Sequence, residues 1–367
     1  METANIFEIP NLRFLGRFHP QRAKEEGVLP LFWACSGLEL RFTGSALEIL
    51  LEADYGRKEP WIAVEINGAP VLRMPAGRGE SSVLLFQGMT AGTVKHVRLW
   101  KETQPMGQDG DSRHRLGIRG LRWRGGAFLP LPEPPYRLEL IGDSLTSGEG
   151  LVGAREEASW SSVLLSASQG WAKMAAGLLG AEFRLISQSG WGIRSGWDNT
   201  PHHALPDWYD PVCATASGEW NRRLGAQEPN DFTAWQPDAV VVNLGANDAN
   251  AMGISAWHGP DGTRFKQEDT PACRRLIENA ALAFLHKLRR RNPQASLVWA
   301  YGMTGDTLRP QLESAVERFR EETGDQRAYY LTLPAVTAST MGSRRHPGIP
   351  CHQEAAVLAA SLLREIL

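Results

Sequence analysis

The hydrophobic rhythm of this chain changes once, at a proline-rich stretch, and that change limits what the chain can fold into more than any other feature. Ahead of it the apolar residues alternate with polar ones. Leu47, Ile49 and Leu51 face one way and Glu48 and Glu52 the other, the period of a half-buried strand. Ile62, Val64 and Ile66 alternate again and stop at Asn67-Gly68, a two-residue hairpin signal. Runs at 71–73, 83–86 and 97–100 add further strands, with no long helical period between them. Short strands at this spacing predict a β-sandwich, jelly-roll-like, over residues 1–135. The boundary is the segment LPLPEPP at 129–135, proline-rich and semi-rigid.

Beyond it strand and helix alternate. Strands are expected at 138–142, 183–187, 239–244, 297–301 and 329–333. Between them Cys273, Leu276, Ile277, Ala280, Phe284, Leu285 and Leu288 recur at helical spacing. Leu312, Val316 and Phe319 do the same, and 353–367 closes the chain as a helix. Five strands separated by helices predict an α/β domain over 136–367 with a five-stranded, doubly wound parallel sheet. The connection at 192–230 is long, irregular and rich in Trp, His, Pro and Asp, and long connections inside a domain are commonly functional or disordered.

With 367 residues the chain accommodates two domains, and its 42% hydrophobic and 22% charged residues are those of a globular protein. A net charge of −2 argues against a general nucleic-acid or anionic-membrane binder. No apolar run approaches the ~20 residues that span a bilayer. The start carries no basic region followed by an apolar core, so a cytoplasmic location is expected, although a chain trimmed of a signal would read the same. Cys35, Cys213, Cys273 and Cys351 are scattered and read as reduced thiols.

Four predicted strand ends bear the chemistry. The stretch YRLELIGDSLTSGEG at 136–150 ends its strand at Gly142 and follows it with Asp143-Ser144. A serine on a tight turn at the C-terminal end of a strand stands where ligands bind in open α/β sheets. The 183–187 strand runs into Gln188-Ser189-Gly190-Trp191-Gly192, with backbone N–H groups beside glycine. The 239–244 strand runs into Gly245-Ala246-Asn247-Asp248, with a side-chain amide. His346 lies just before the last helix, in GSRRHPG. A serine, a histidine and convergent N–H donors are the parts of an acyl-transfer site. Asp143 and Asp248 read as turn and hydrogen-bonding residues.

These blocks resemble the SGNH, or GDSL, hydrolase superfamily, whose fold is flavodoxin-like and whose signature residues fall on Ser144, Gly190, Asn247 and His346. With the β-domain ahead of it, the whole is similar to two-domain carbohydrate esterases of family 2. The stretch WAYGMTG at 299–305 resembles that group as well. The resemblance implies a serine esterase that removes acetyl groups from carbohydrates. Ser144 would be the nucleophile and His346 the general base, with Ser144, Gly190 and Asn247 forming the oxyanion hole. The superfamily usually has an Asp three residues before the histidine, where this chain has Ser343. A main-chain carbonyl, as in some family 2 esterases, or a carboxylate from elsewhere, Asp306 or Glu149, would have to orient the ring.

Trp191, Trp197, Trp208 and Trp257 fall in loops after strand ends, where an aromatic face either stacks on a sugar or covers the core; Trp191, Trp197 and Trp257 are the candidate substrate contacts. His202-His203, with Asp207 and Asp210 nearby, suggest a metal only weakly, because adjacent histidines commonly point apart; no metal or cofactor is expected. Arg344 and Arg345 would either meet an anionic substrate or be solvated. Two alternatives stand beside the deacetylase: a GDSL-type lipase or thioesterase, and a carbohydrate-binding protein on a decayed hydrolase scaffold.

Overall fold

The alternating residues of the first third form the facing sides of two antiparallel sheets. In a computed structural model, which describes residues 1–367, Ala46–Asp54 pairs with Arg115–Arg124 and with Gly79–Gln87. A second sheet is built on Lys95–Lys101 between Gly37–Phe42 and Trp61–Ile66. Leu47, Ile49 and Leu51 of one sheet share a core with Leu38, Leu40, Ile62, Val64, Val97 and Leu99 of the other. Glu48 turns away from that core to an ion pair with Arg122. At the hairpin, Asn67 and Gly68 have φ of 53° and 80°, the left-handed pair that a two-residue turn requires.

This first unit comprises Met1–Glu133 together with Ser161–Ser168 and Asp210–Asn230. The two later segments lie past the proline-rich stretch, within the 136–367 span read as one domain from the sequence. They join the first unit through polar anchors. Trp33 Nε1 donates to Val212 O at 2.7 Å, Arg73 Nη2 to Val163 O at 2.7 Å, and Ser168 N to a Glu102 carboxylate oxygen at 3.1 Å.

The second unit takes the rest, Pro134–Trp160, Gln169–Tyr209 and Asp231–Leu367. Its strands are β1 (Arg137–Gly142), β2 (Glu182–Ser187), β3 (Ala239–Asn243), β4 (Ser296–Tyr301) and β5 (Ala328–Thr332). Its helices are α1 (Ser144–Ser147), α2 (Trp171–Leu179), α3 (Ala246–Met252), α4 (Pro271–Arg291), α5 (Arg309–Thr323) and α6 (Ile349–Ile366). All five strands are parallel, in the order β2-β1-β3-β4-β5. Every residue of β3 and β4 is buried, which is why they read as continuous apolar runs: a parallel sheet is covered on both faces. The strand order reverses between β1 and β3, and such a switch point opens a crevice at the strand C-termini.

Thr270 caps α4, accepting from Cys273 N at 3.2 Å, with Pro271 in the first turn. The buried stripe runs through Cys273, Ile277, Ala281, Phe284, Leu285 and Leu288, but Leu276 is 50% exposed. It sits about 100° round the helix from Ile277, outside the covered arc. No helix is long and apolar enough to cross a membrane.

Candidate active site

The turn after β1 is forced by small residues. A Cβ on Gly142 would lie 2.1 Å from Thr146 Oγ1 and 2.9 Å from Asn243 O, so only glycine lets the strand enter α1 this tightly. Asp143 then caps α1, its Oδ1 accepting from Leu145 N at 3.0 Å. Ser144 begins the helix, 7% exposed. Six residues on, Gly150 has φ +86°, and an added Cβ would meet His346 Cβ at 2.5 Å and Ser343 O at 2.8 Å. The loop after the serine therefore packs directly against the backbone carrying the histidine.

His346 Nε2 lies 3.0 Å from Ser144 Oγ, and His346 Nδ1 lies 3.0 Å from Arg344 O. A carbonyl only accepts, so Nδ1 carries the hydrogen and Nε2 presents its lone pair to the hydroxyl. Ser343 does not face the ring. Its Oγ donates to Val152 O at 2.9 Å and its N–H to Gly150 O at 3.0 Å. Asp306 is exposed and makes no contact with His346. Glu149 comes near, with Oε1 3.9 Å from Nε2, on the side of the ring away from Nδ1. Neither carboxylate therefore holds the nitrogen that a triad acid would hold.

Two backbone donors stand open beside the serine. No protein acceptor takes the N–H of Ser144 or of Gly190. Gly190 has φ +80°, and a Cβ there would approach Trp197 Cδ1 to 3.0 Å. Asn247 is brought to the same place, but its Nδ2 donates to Trp191 O at 2.8 Å and Asp143 Oδ2 at 3.1 Å. Burial pushes the Asp143 carboxyl up to about 7, the nearby Asp248 and Glu149 add to this, and hydrogen bonds from Leu145 and Asn247 oppose it. Asp248 is structural. It accepts from Ile193 N at 2.7 Å and Arg194 N at 2.9 Å, and so pins the loop after β2.

The tryptophans divide. Trp191 is 1% exposed and stacks on His203 at 4.8 Å, with Trp208 at its edge, so no face remains for a ligand. Trp197, 49% exposed, stands beside Gly190. Trp257 lies half-buried in a small ribbon, edge-on to the His202 ring at 5.7 Å. The rings of His202 and His203 thus pack on different tryptophans, and no cluster of three acidic, histidine or cysteine side chains is placed to hold an ion. Arg344 is held by protein partners rather than by solvent alone. Its Nε donates to Glu149 Oε1 at 2.7 Å and its Nη1 to Ala158 O at 3.1 Å. Sequence reasoning missed this pairing, because nothing in Arg-Arg signals that both residues adopt left-handed backbone, with φ of 53° and 58°.

Comparison with known proteins identifies relatives of both domains. Residues 140–338 match the model of the GDSL-like Lipase/Acylhydrolase family, and residues 14–132 match that of the carbohydrate esterase 2 N-terminal domain. The chain is similar to an acetyl xylan esterase from the rumen bacterium Butyrivibrio proteoclasticus, at 38% identity and a TM-score of 0.95 over 99% of this chain and 98% of that one. It shares its fold with a family two carbohydrate esterase from Clostridium thermocellum solved with cellohexaose, at 24% identity and a TM-score of 0.79 over 96% and 98%. It is also 26% identical, over 91% of its length, to the cellulase/esterase CelE of Acetivibrio thermocellus, of which it spans 37%. With more than half of its length matched to that family's model, the chain belongs to the GDSL-like lipase/acylhydrolase family, preceded by a carbohydrate esterase 2 N-terminal domain.

Proposed function

We propose that this protein is a serine esterase that removes acetyl groups from carbohydrates. The observation that carries the reading is the relay Ser144 Oγ···Nε2 His346 Nδ1···O Arg344, with both contacts at 3.0 Å. Ser144 Oγ attacks the acetyl carbonyl carbon as its proton passes to Nε2. The oxyanion forms between the open N–H groups of Ser144 and Gly190. Asn247 joins them by sharing the hydrogen now directed at Asp143 Oδ2. Collapse expels the sugar oxygen, which takes the proton from Nε2 and leaves acetyl on Ser144. Water, deprotonated by the same nitrogen, then releases acetate. Each oxyanion donor of this kind typically contributes ~10²–10³ in rate.

Trp197 supports a sugar as the alcohol part, since its exposed indole stands beside Gly190 and offers an aromatic face for a pyranose ring. The similarity to an acetyl xylan esterase over nearly the whole of both chains supports the same class. The test is acetate release from a panel of acetylated xylo-oligosaccharides and other acetylated sugars, beside octanoyl esters of the same alcohols. Acetyl turnover well above octanoyl turnover is expected. Faster octanoyl hydrolysis would favour a lipase, and saccharide binding without turnover of any ester would favour a decayed binding protein.

A further inference from the structure

A triad carboxylate has two tasks: it holds the Nδ1–H of the histidine, and it lends negative charge to the imidazolium. Here the first falls to a main-chain carbonyl, which orients a ring only as well as the carbonyl itself is fixed. Arg344 and its neighbour Arg345 both sit in the left-handed region, at φ 53° and 58°, a conformation that non-glycine residues hold only where the surroundings impose it. The surroundings that impose it are visible. Arg344 N donates to Glu157 O at 2.8 Å, its Nη1 to Ala158 O at 3.1 Å, and its Nε to Glu149 Oε1 at 2.7 Å.

Glu149 is fixed in turn. Its backbone N–H donates to Ser144 O at 3.0 Å, and its side chain is only 3% exposed. The carboxylate lies 3.9 Å from His346 Nε2, a distance at which an opposite charge stabilises an imidazolium. No other carboxylate forms an ion pair with that ring. The remaining titratable groups nearby are few. His352 on α6 is pushed down to about 3, by burial and then by His346 itself, so it stays uncharged; its Nδ1 accepts from Trp171 N at 3.0 Å. Asp143 borders Glu149, and Arg345, on the histidine's own turn, is exposed.

We propose that Glu149 and Arg344 form a positioning pair that together replaces the missing triad acid: the clamped Arg344 backbone orients His346 through its carbonyl, and Glu149 supplies charge to the imidazolium from the Nε2 side. The proposal rests on the Ser144–His346 reading above and assigns neither residue direct contact with the substrate. Arg344 also moderates Glu149, since its guanidinium neutralises the carboxylate that the histidine feels. The two partners of one ion pair should therefore act on the histidine in opposite senses.

The test is the pH profile of kcat/KM for an acetyl ester in Glu149→Gln, Arg344→Met and Arg344→Lys. Glu149→Gln keeps an acceptor for Arg344 but loses the charge, so the acid limb moves to lower pH by about one unit while kcat falls. Arg344→Met leaves Glu149 without its counter-ion, so the acid limb moves to higher pH by a similar amount. Arg344→Lys returns the limb toward its original place. Acid limbs that stay put in both Glu149→Gln and Arg344→Met, or that move the same way, overturn the proposal. If Glu149→Gln does not fold, the Met and Lys variants of Arg344 decide: a limb raised in Met and restored in Lys supports the pair, and limbs alike in both overturn it. Failure of the underlying reading looks different, because Ser144→Ala would then remain active whatever the two limbs do.

Discussion

At the scale of single residues, Asp143 shows how closely the site couples chemistry to stability. Its carboxyl stands at about 7 in the fold against 3.8 as an ordinary aspartate, chiefly because it is buried. A carboxyl raised in this way stabilises the fold fully below 3.8, and that contribution is lost as pH rises through about 7. The melting temperature should therefore fall between about pH 4 and about pH 7, and fall less in Asp143→Asn, where this group no longer titrates. Any slope left in the variant belongs to groups such as Asp248, which burial also raises. An equal fall in both proteins would contradict the assignment. The sequence offered Ser144, Gly190 and Asn247 as candidates because each stands in a short, distinctive block after a strand, and His346 because its block precedes the last helix. Glu149 as the partner of Arg344 was not, since their contact depends on two left-handed arginines for which the local letters give no signal.

At the scale of elements, the strands were legible because burial dictates their letters. Covered β3 and β4 are apolar apart from Asn243 and Ser296 at their ends, and the sandwich strands alternate. The helices were legible from their periodicity, except at the margin of the covered arc, where Leu276 reads as core and lies outside. The irregular 192–209 stretch was opaque because its order comes from side chains distant in sequence. Asp248 holds the N–H groups of Ile193 and Arg194, and Asn199, at φ 65°, donates from Nδ2 to Ala251 O at 2.9 Å. Those contacts put Trp197 beside Gly190, while Trp191 turns inward. Periodicity has nothing to say about which of the two faces solvent.

At the scale of the whole molecule, the proline-rich segment marks where the chain first leaves the sandwich unit, but the chain returns to it twice. Leu164, Leu165, Val212 and Cys213 are buried in those returning segments. A fragment of residues 134–367 should consequently expose them and lose a cooperative thermal transition or precipitate, as read by calorimetry and by light scattering; a soluble, cooperatively melting and fully active fragment would contradict this. The central claim is that Ser144 is the nucleophile. Its most direct test is acetate release from an acetylated xylo-oligosaccharide by folded Ser144→Ala beside the wild type, with mass spectrometry of the quenched wild-type protein. The account predicts a loss of at least ~10³-fold in the variant and a transient acetyl group on Ser144 in the wild type. A folded Ser144→Ala protein that releases acetate at the wild-type rate would contradict it.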